Sequence, residues 1–158
     1  MSQQLLDTIQ ATVQRLGYDT ARHPPSIHNP VDLFTVFIDE AEDAEAEGRA
    51  RREMAVFFIP VGEELDGSAF LQFLYQLATP VPAEQVQAVH AALNEVNRQL
   101  PLGHFATTAG DALVYYKYVL AFPTQAAVSA AHFADILDMA IFSIGRMEDT
   151  LAELIKPA

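Results

Sequence analysis

Between Val86 and Ala121 the spacing of apolar residues changes once, and the change demands a fold in which a helix feeds straight into a β-hairpin. Val86, Val89, Leu93, Val96 and Leu100 follow at steps of three, four, three and four, the signature of one buried helical face. Pro82 suits the first helical position, with Glu84 in the first turn. Pro101-Leu102-Gly103 ends the helix, after which the period is two. His104 to Thr108 and Leu113 to Ala121 read as strands around Ala109-Gly110-Asp111-Ala112, whose glycine and aspartate tolerate the positive φ angles of a tight turn.

Similar reasoning orders the rest. Leu5, Leu6, Ile9, Val13 and Leu16 form one helical stripe closed by Gly17. The proline-rich ARHPPSIHNP segment reads as an extended loop leading to a strand at 33–38. Met54 to Ile59 is an unbroken apolar run, suited to a strand covered on both faces near the centre of a sheet. Phe70 to Leu77 fits either period; its aromatics and short length favour a strand with Leu71, Phe73, Tyr75 and Leu77 on one face. Ser129 to Ile155 is a long helix with Phe133, Ile136, Leu137, Ala140, Ile144, Met147, Leu151 and Leu154 on one side and Gly145 as its weak point. The order α-β-β-β-α-β-β-α predicts an α+β fold, a mainly antiparallel sheet with packed helices, as a single domain over 1–158.

Composition narrows the partners. Nine Lys and Arg against twenty-one Asp and Glu give a formal charge of −12, which repels nucleic-acid phosphates and anionic lipid. No cysteine is present, which excludes disulfides, zinc–thiolate sites and thiol nucleophiles. The start MSQQLLDTIQ lacks the basic and apolar regions of a secretory signal, and no apolar run reaches the ~18 residues of a membrane span. A cytoplasmic protein that binds neither nucleic acid nor membrane is expected.

Two asparagines three apart, Asn94 and Asn97, then Pro101-Leu102-Gly103 and the Gly110-Asp111 hairpin resemble the YbjN family, which has the type III secretion chaperone-like fold. The likeness is densest from Asn94 to Phe122 and holds only in outline over the first sixty residues, where the excursion between the first strands departs from the family pattern. The resemblance implies a noncatalytic protein acting through protein contacts, and secretion chaperones of this fold hold an extended client segment as paired subunits.

The acidic run Asp39 to Glu53 is the densest charge feature. Counted from Asp39, the sixth residue is Ala44 rather than the glycine a calcium loop requires. The run reads as a solvated connection, briefly helical, with Glu45–Arg49 and Glu47–Arg51 as i,i+4 pairs. His23 and His28 lack metal-ligand spacing, His90 and His132 read as helix flanks, and His104 has no designated partner. No nucleophile elbow, phosphate loop or dinucleotide fingerprint occurs, so neither an enzyme nor a cofactor is expected.

Asn97, near a helix end, reads as an amide stitching the incoming loop to the helix, with Asn94, Gly103, Gly110 and Asp111 as the other structural-motif residues. Tyr116 and Tyr118 share one strand face and are candidate partner contacts. Phe142 lies about two and a half turns from Phe133 and therefore faces the polar side of the last helix, beside Met139; the two form a candidate dimer or partner anchor. The functional reading is a noncatalytic protein-binding module, a chaperone-like or regulatory adaptor acting as a homodimer. The alternative is a small-ligand sensor or enzyme with a pocket between sheet and helices.

Overall fold

The structure, a computed structural model, describes residues 2–27, 29–61 and 67–155. Among them are four α-helices, α1 (Ser2–Arg15), α2 (Ala41–Ala46), α3 (Val86–Asn97) and α4 (Ala130–Leu154). Six strands, β1 (Thr20–His23), β2 (Leu33–Phe37), β3 (Glu53–Phe58), β4 (Ser68–Gln76), β5 (His104–Thr107) and β6 (Val114–Pro123), form one sheet in the order β1-β2-β3-β4-β6-β5. The expected α+β class with an antiparallel sheet is what the chain adopts. The chain divides into two compact units, Met1–Phe73 with Val119–Ala134, and Leu74–Tyr118 with Asp135–Ala158. No helix among the described residues is long and apolar enough to cross a membrane.

In the first unit α1 lies against β1, β2 and β3. Its stripe behaves as the spacing predicts: Leu6, Ile9 and Val13 are buried with Phe34 and Val36 of β2 and Met54 and Val56 of β3. Phe133, in the first turn of α4, sits 6.4 Å from Phe73 and 6.3 Å from Phe122, both rings tilted as aromatic quadrupoles favour.

β1 corrects the sequence reading, which treats its residues as part of a loop. It pairs antiparallel with β2 from Thr20↔Val36 to His23↔Leu33. Ala21 is its sole apolar residue, so it carries no hydrophobic alternation; its support is polar instead. Gln10 and Gln14 donate to Thr20 Oγ1 at 3.0 and 2.9 Å. Arg22 grips both carboxylate oxygens of Asp32 at 2.8 and 2.6 Å, and donates to Gln10 Oε1 at 3.1 Å. Strand pairing stops before Pro24, which has no N–H to give.

In the second unit the residues expected on one face of β4 behave as expected, since Tyr75 and Leu77 are buried; Leu71 and Phe73 are likewise buried within the first unit. The segment is a strand, not a helix. Tyr75 donates its hydroxyl to Glu148 at 2.8 Å. α3 begins later than Pro82 suggests, because Pro82 keeps an extended ψ of 143° and precedes a short 3-10 turn at Ala83–Gln85. Val89 and Leu93 are buried. β5 and β6 pair from His104↔Lys117 to Thr107↔Val114, so the connecting turn is longer than four residues, but its positive φ angles fall where expected, 78° at Gly110 and 55° at Asp111.

α4 buries Ile136, Leu137, Ala140, Ile144, Met147 and Leu151. A Cβ built at Gly145 meets nothing within 4 Å, so this glycine carries the helix-interior penalty without serving close packing. Gly145→Ala should therefore raise the unfolding free energy by about 0.5–1 kcal/mol in denaturant titrations.

Candidate functional site

Asn97 and Gly103, two of the residues quoted for the resemblance, meet at a joint between α3 and the β5–β6 hairpin. Asn97, in the last turn of α3, donates from Nδ2 to the Phe105 carbonyl at 2.9 Å and accepts the Phe105 N–H on Oδ1 at 2.7 Å. The amide thus satisfies both backbone groups of one residue on edge strand β5, so the stitch runs to the strand rather than to the loop. The Phe105 ring meets Tyr116 at a tilt, with centroids 5.2 Å apart, and the Tyr116 hydroxyl donates to the Leu102 carbonyl at 3.2 Å. Gly103 has φ +71°, and a Cβ there would stand 2.5 Å from the Tyr116 hydroxyl oxygen. Any side chain at 103 is therefore excluded by both backbone and packing.

Tyr116 is fully buried, and burial, with Tyr118 adding a smaller repulsion, pushes its hydroxyl pKa up to about 12. As a partner contact it is corrected: its ring belongs to the joint. Tyr118 is half-buried, and burial also raises its pKa. Asn94 stands exposed on α3, apart from the amide bridge that Asn97 makes.

The far end of the hairpin brings together three residues that the sequence leaves unconnected. His90 Nε2 lies 3.0 Å from Asp111 Oδ1, the same oxygen that accepts the Thr107 hydroxyl at 2.5 Å. Thr107 and then His90 hold the Asp111 carboxylate below its ordinary pKa. This is not the wiring of a nucleophile. In a catalytic triad the hydroxyl gives its proton to one imidazole nitrogen while the carboxylate orients the other. Here the hydroxyl spends its proton on the carboxylate, and the same imidazole nitrogen faces both. The arrangement fixes Asp111 in its positive-φ conformation at the turn.

The acidic run is also corrected. Arg49 pairs with Asp39 and Glu47, and Arg51 with Asp19, in place of the predicted i,i+4 pairs. Arg49 donates to Asp39 Oδ2 at 2.5 Å; Arg52 donates from its backbone N–H to Oδ2 at 2.8 Å and from its guanidinium to Oδ1 at 2.9 and 2.7 Å. Arg51 takes the Asp39 carbonyl through two N–H groups at 2.9 and 2.7 Å while lying 4.2 Å over the Phe37 ring. Burial alone would raise the Asp39 pKa, but bonds from Arg52 and Arg49 outweigh it and hold the carboxyl well below the usual range. Ala44 of α2 is buried, so the segment is fastened at both Asp39 and Ala44; Glu40, Glu42, Asp43, Glu45 and Glu47 point to solvent.

An apolar groove of about 710 Å³ opens in the first unit. Leu5 and Leu6 of α1, Pro25, Pro30 and Val31 of the β1–β2 loop, and Phe58 to Val61 at the end of β3 line it, with Ser68 and Thr124 supplying hydroxyls. Three large apolar side chains are exposed among the described residues, Ile27, Val61 and Phe142. Val61 lines the groove, and Ile27, 95 % exposed, projects from the loop whose prolines form one wall. Sequence periodicity missed this site because, apart from Leu5 and Leu6 of α1, its lining comes from loop and strand residues that no single period links to that helix. Phe142 is 60 % exposed on α4 with Arg146 at 6.0 Å from its ring, and Met139 beside it is half-buried. No cluster of His, Asp and Glu able to hold a metal ion occurs among the described residues.

Four α-helices and a six-stranded antiparallel sheet define an α+β protein. The chain belongs to the YbjN family: the family model, described as "Putative bacterial sensory transduction regulator", matches residues 5–153. No curated protein matches the chain.

Two outcomes test these assignments. Asn97→Leu strands both backbone groups of Phe105 and should lower unfolding free energy by about 1–3 kcal/mol, read in urea, with faster amide exchange at Phe105. For Asp39, whose folded pKa is depressed, the stabilisation is complete above the unfolded carboxylate value near ~4 and is lost as pH falls toward the folded value. Asp39→Asn should cost about 1.5–3 kcal/mol at pH 7 and flatten the loss of stability that the wild type shows on acidification below about pH 4.

Proposed function

We propose that this protein is a noncatalytic regulatory adaptor that binds an apolar polypeptide segment in the groove of the first unit. The family description, a sensory transduction regulator, supports the regulatory part of the reading. The observation that carries the binding part is the groove itself, with two of the three exposed large apolar residues on its wall and on its bordering loop. An open apolar groove of this kind marks interaction sites on proteins that otherwise keep such groups inside. The charge of −12 favours a partner whose apolar segment is flanked by basic residues, because complementary fields speed encounter and suppress wrong partners.

The type III secretion chaperone-like likeness fits the same reading, since paired subunits of that fold hold extended client segments on sheet and helix surfaces; fold likeness alone assigns no client. The module comprises the whole chain, 1–158, acting in the cytoplasm as a homodimer and without nucleic acid, membrane or cofactor. A second reading rests on the groove's size: about 710 Å³ also falls in the range of small-molecule sites, which would make the protein a ligand sensor.

Affinity capture with crosslinking from native cells separates them. The adaptor reading predicts one recurrent polypeptide, reduced about tenfold or more by Ile27→Asp or Val61→Asp. Capture unaffected by both substitutions would contradict it, and a metabolite retained by the purified protein and displaced by Val61→Asp would establish the sensor.

A further inference from the structure

Three residues on the outer side of α4 each break a local rule, and they lie together. At about 100° per residue, Asp135, Asp138, Arg146, Asp149 and Glu153 all fall within about 40° of Phe142, and all six are exposed. Among the described residues, Phe142 is the exposed large apolar side chain that the groove does not explain. Gly145, about 60° to one side of it, carries the helix-interior penalty although a Cβ there would meet nothing within 4 Å. Glu153 stands in the last turn of α4, which holds no basic residue, where the helix dipole favours cations over carboxylates. Departures from local preference concentrate at functional surfaces, and here three of them share one face.

The charge around Phe142 states what would cover it. Four carboxylates against one guanidinium leave the stripe a net charge of −3. A second copy of the chain would bring acid to acid, whereas a cationic surface is the complement. The two sides of the stripe differ. Asp138, Asp149 and Gly145 lie to one side of Phe142, and Arg146 and Met139 to the other. On the first side a partner side chain can rest against the ring over a bare backbone position, with a carboxylate one turn before and another two turns after. On the second side Arg146 lies 6.0 Å from the ring and is the one like charge that a cationic partner meets. The exposed positions follow at steps of three, four, four, three and four, the spacing at which one helix meets another.

We propose that the α4 face centred on Phe142 docks a basic amphipathic helix of a partner protein. An apolar residue of that helix packs against Phe142 and Gly145, and its lysines or arginines meet Asp138 and Asp149, with Asp135 and Glu153 extending the field at either end. This goes beyond the proposed function: it is a second polypeptide-binding surface, in the second unit, and stands independently of the groove. The stripe runs about 27 Å from Asp135 to Glu153 on a helix about 10 Å across, well short of the roughly 800 Å² per partner of a standard interface. The complex is therefore weak, dissociating in the micromolar range, and loosens with added salt.

Fluorescence anisotropy on the full chain tests this with a labelled synthetic helix of about 20 residues, leucine along one seam and lysine flanking it, beside a scrambled peptide of the same composition. The seam peptide should bind in the micromolar range and the scrambled one at least tenfold more weakly, since bulk charge does not distinguish them. Phe142→Ala, and Asp138→Asn combined with Asp149→Asn, should each weaken binding at least tenfold, the pair also flattening its salt dependence, with circular dichroism that of the wild type. Arg146→Gln should tighten binding severalfold by removing the like charge. Equal binding of the two peptides, binding insensitive to Phe142→Ala, or none at hundreds of micromolar overturns the α4 surface and leaves the groove to its own test. Binding lost with Val61→Asp and kept with Phe142→Ala places the peptide in the groove, which overturns the α4 surface while upholding the proposed function. Dimerisation of the wild type in sedimentation equilibrium, abolished by Phe142→Glu, overturns it in favour of a second copy.

Discussion

Two hydrogen bonds from one side chain fix α3 to the β5–β6 hairpin in the second unit. Asn97 meets the N–H and the carbonyl of Phe105 with the complementary groups of its own amide, so α3 and β5 are joined in a single register. Only an amide both donates and accepts from adjacent atoms in this way. β5 is an edge strand in the sheet order, with backbone groups that β6 does not reach; Asn97 occupies those of Phe105. Once Phe105 is placed, its ring meets Tyr116, the Tyr116 hydroxyl reaches Leu102, and the chain can pass that hydroxyl only as glycine. The residues from Asn97 to Tyr116 thus form a chain of dependence in which each contact presupposes the one before.

That dependence explains why the middle of the chain was legible. Asn97, Gly103 and Gly110 each meet a local requirement, an unpaired backbone pair, a close approach, a positive φ, and local requirements show in residue type. The three long helices were equally plain, because a period of 3.6 records burial on one face, whereas the short α2 was read only as a briefly helical connection; α4 keeps the period from Phe133 to Leu151. β4, ambiguous by period, is settled by its place between β3 and β6 in the sheet; Leu71, Phe73, Tyr75 and Leu77 are buried, as is Gln72 among them.

What stayed hidden was held by distant polar partners. β1 has one apolar residue and owes its place to Gln10, Gln14 and Asp32. Asp39 looked like one carboxylate in a solvated run, yet Arg49 and Arg52, ten and thirteen residues on, draw it into the interior. Charge density in the sequence says nothing about which single carboxylate is chosen. Of the candidate contact residues, Phe142 lies exposed as helical arithmetic requires, whereas Tyr116 is buried, because strand alternation gives two faces without saying which one the helices cover. The groove left no trace, since its walls are joined by folding alone.

A division of labour is what we propose: the joint around Asn97 maintains the second unit, and recognition of the apolar segment belongs to the groove of the first, which differs from it in position and chemistry. Hydrogen exchange on the free and partner-bound protein tests that division most directly. The account predicts new protection on binding at Val31 and Val61, with the amides of Phe105 and its neighbours already slow in the free protein and unchanged. New protection concentrated between His90 and Asp111, with the groove unaffected, would contradict it and move recognition to the joint itself.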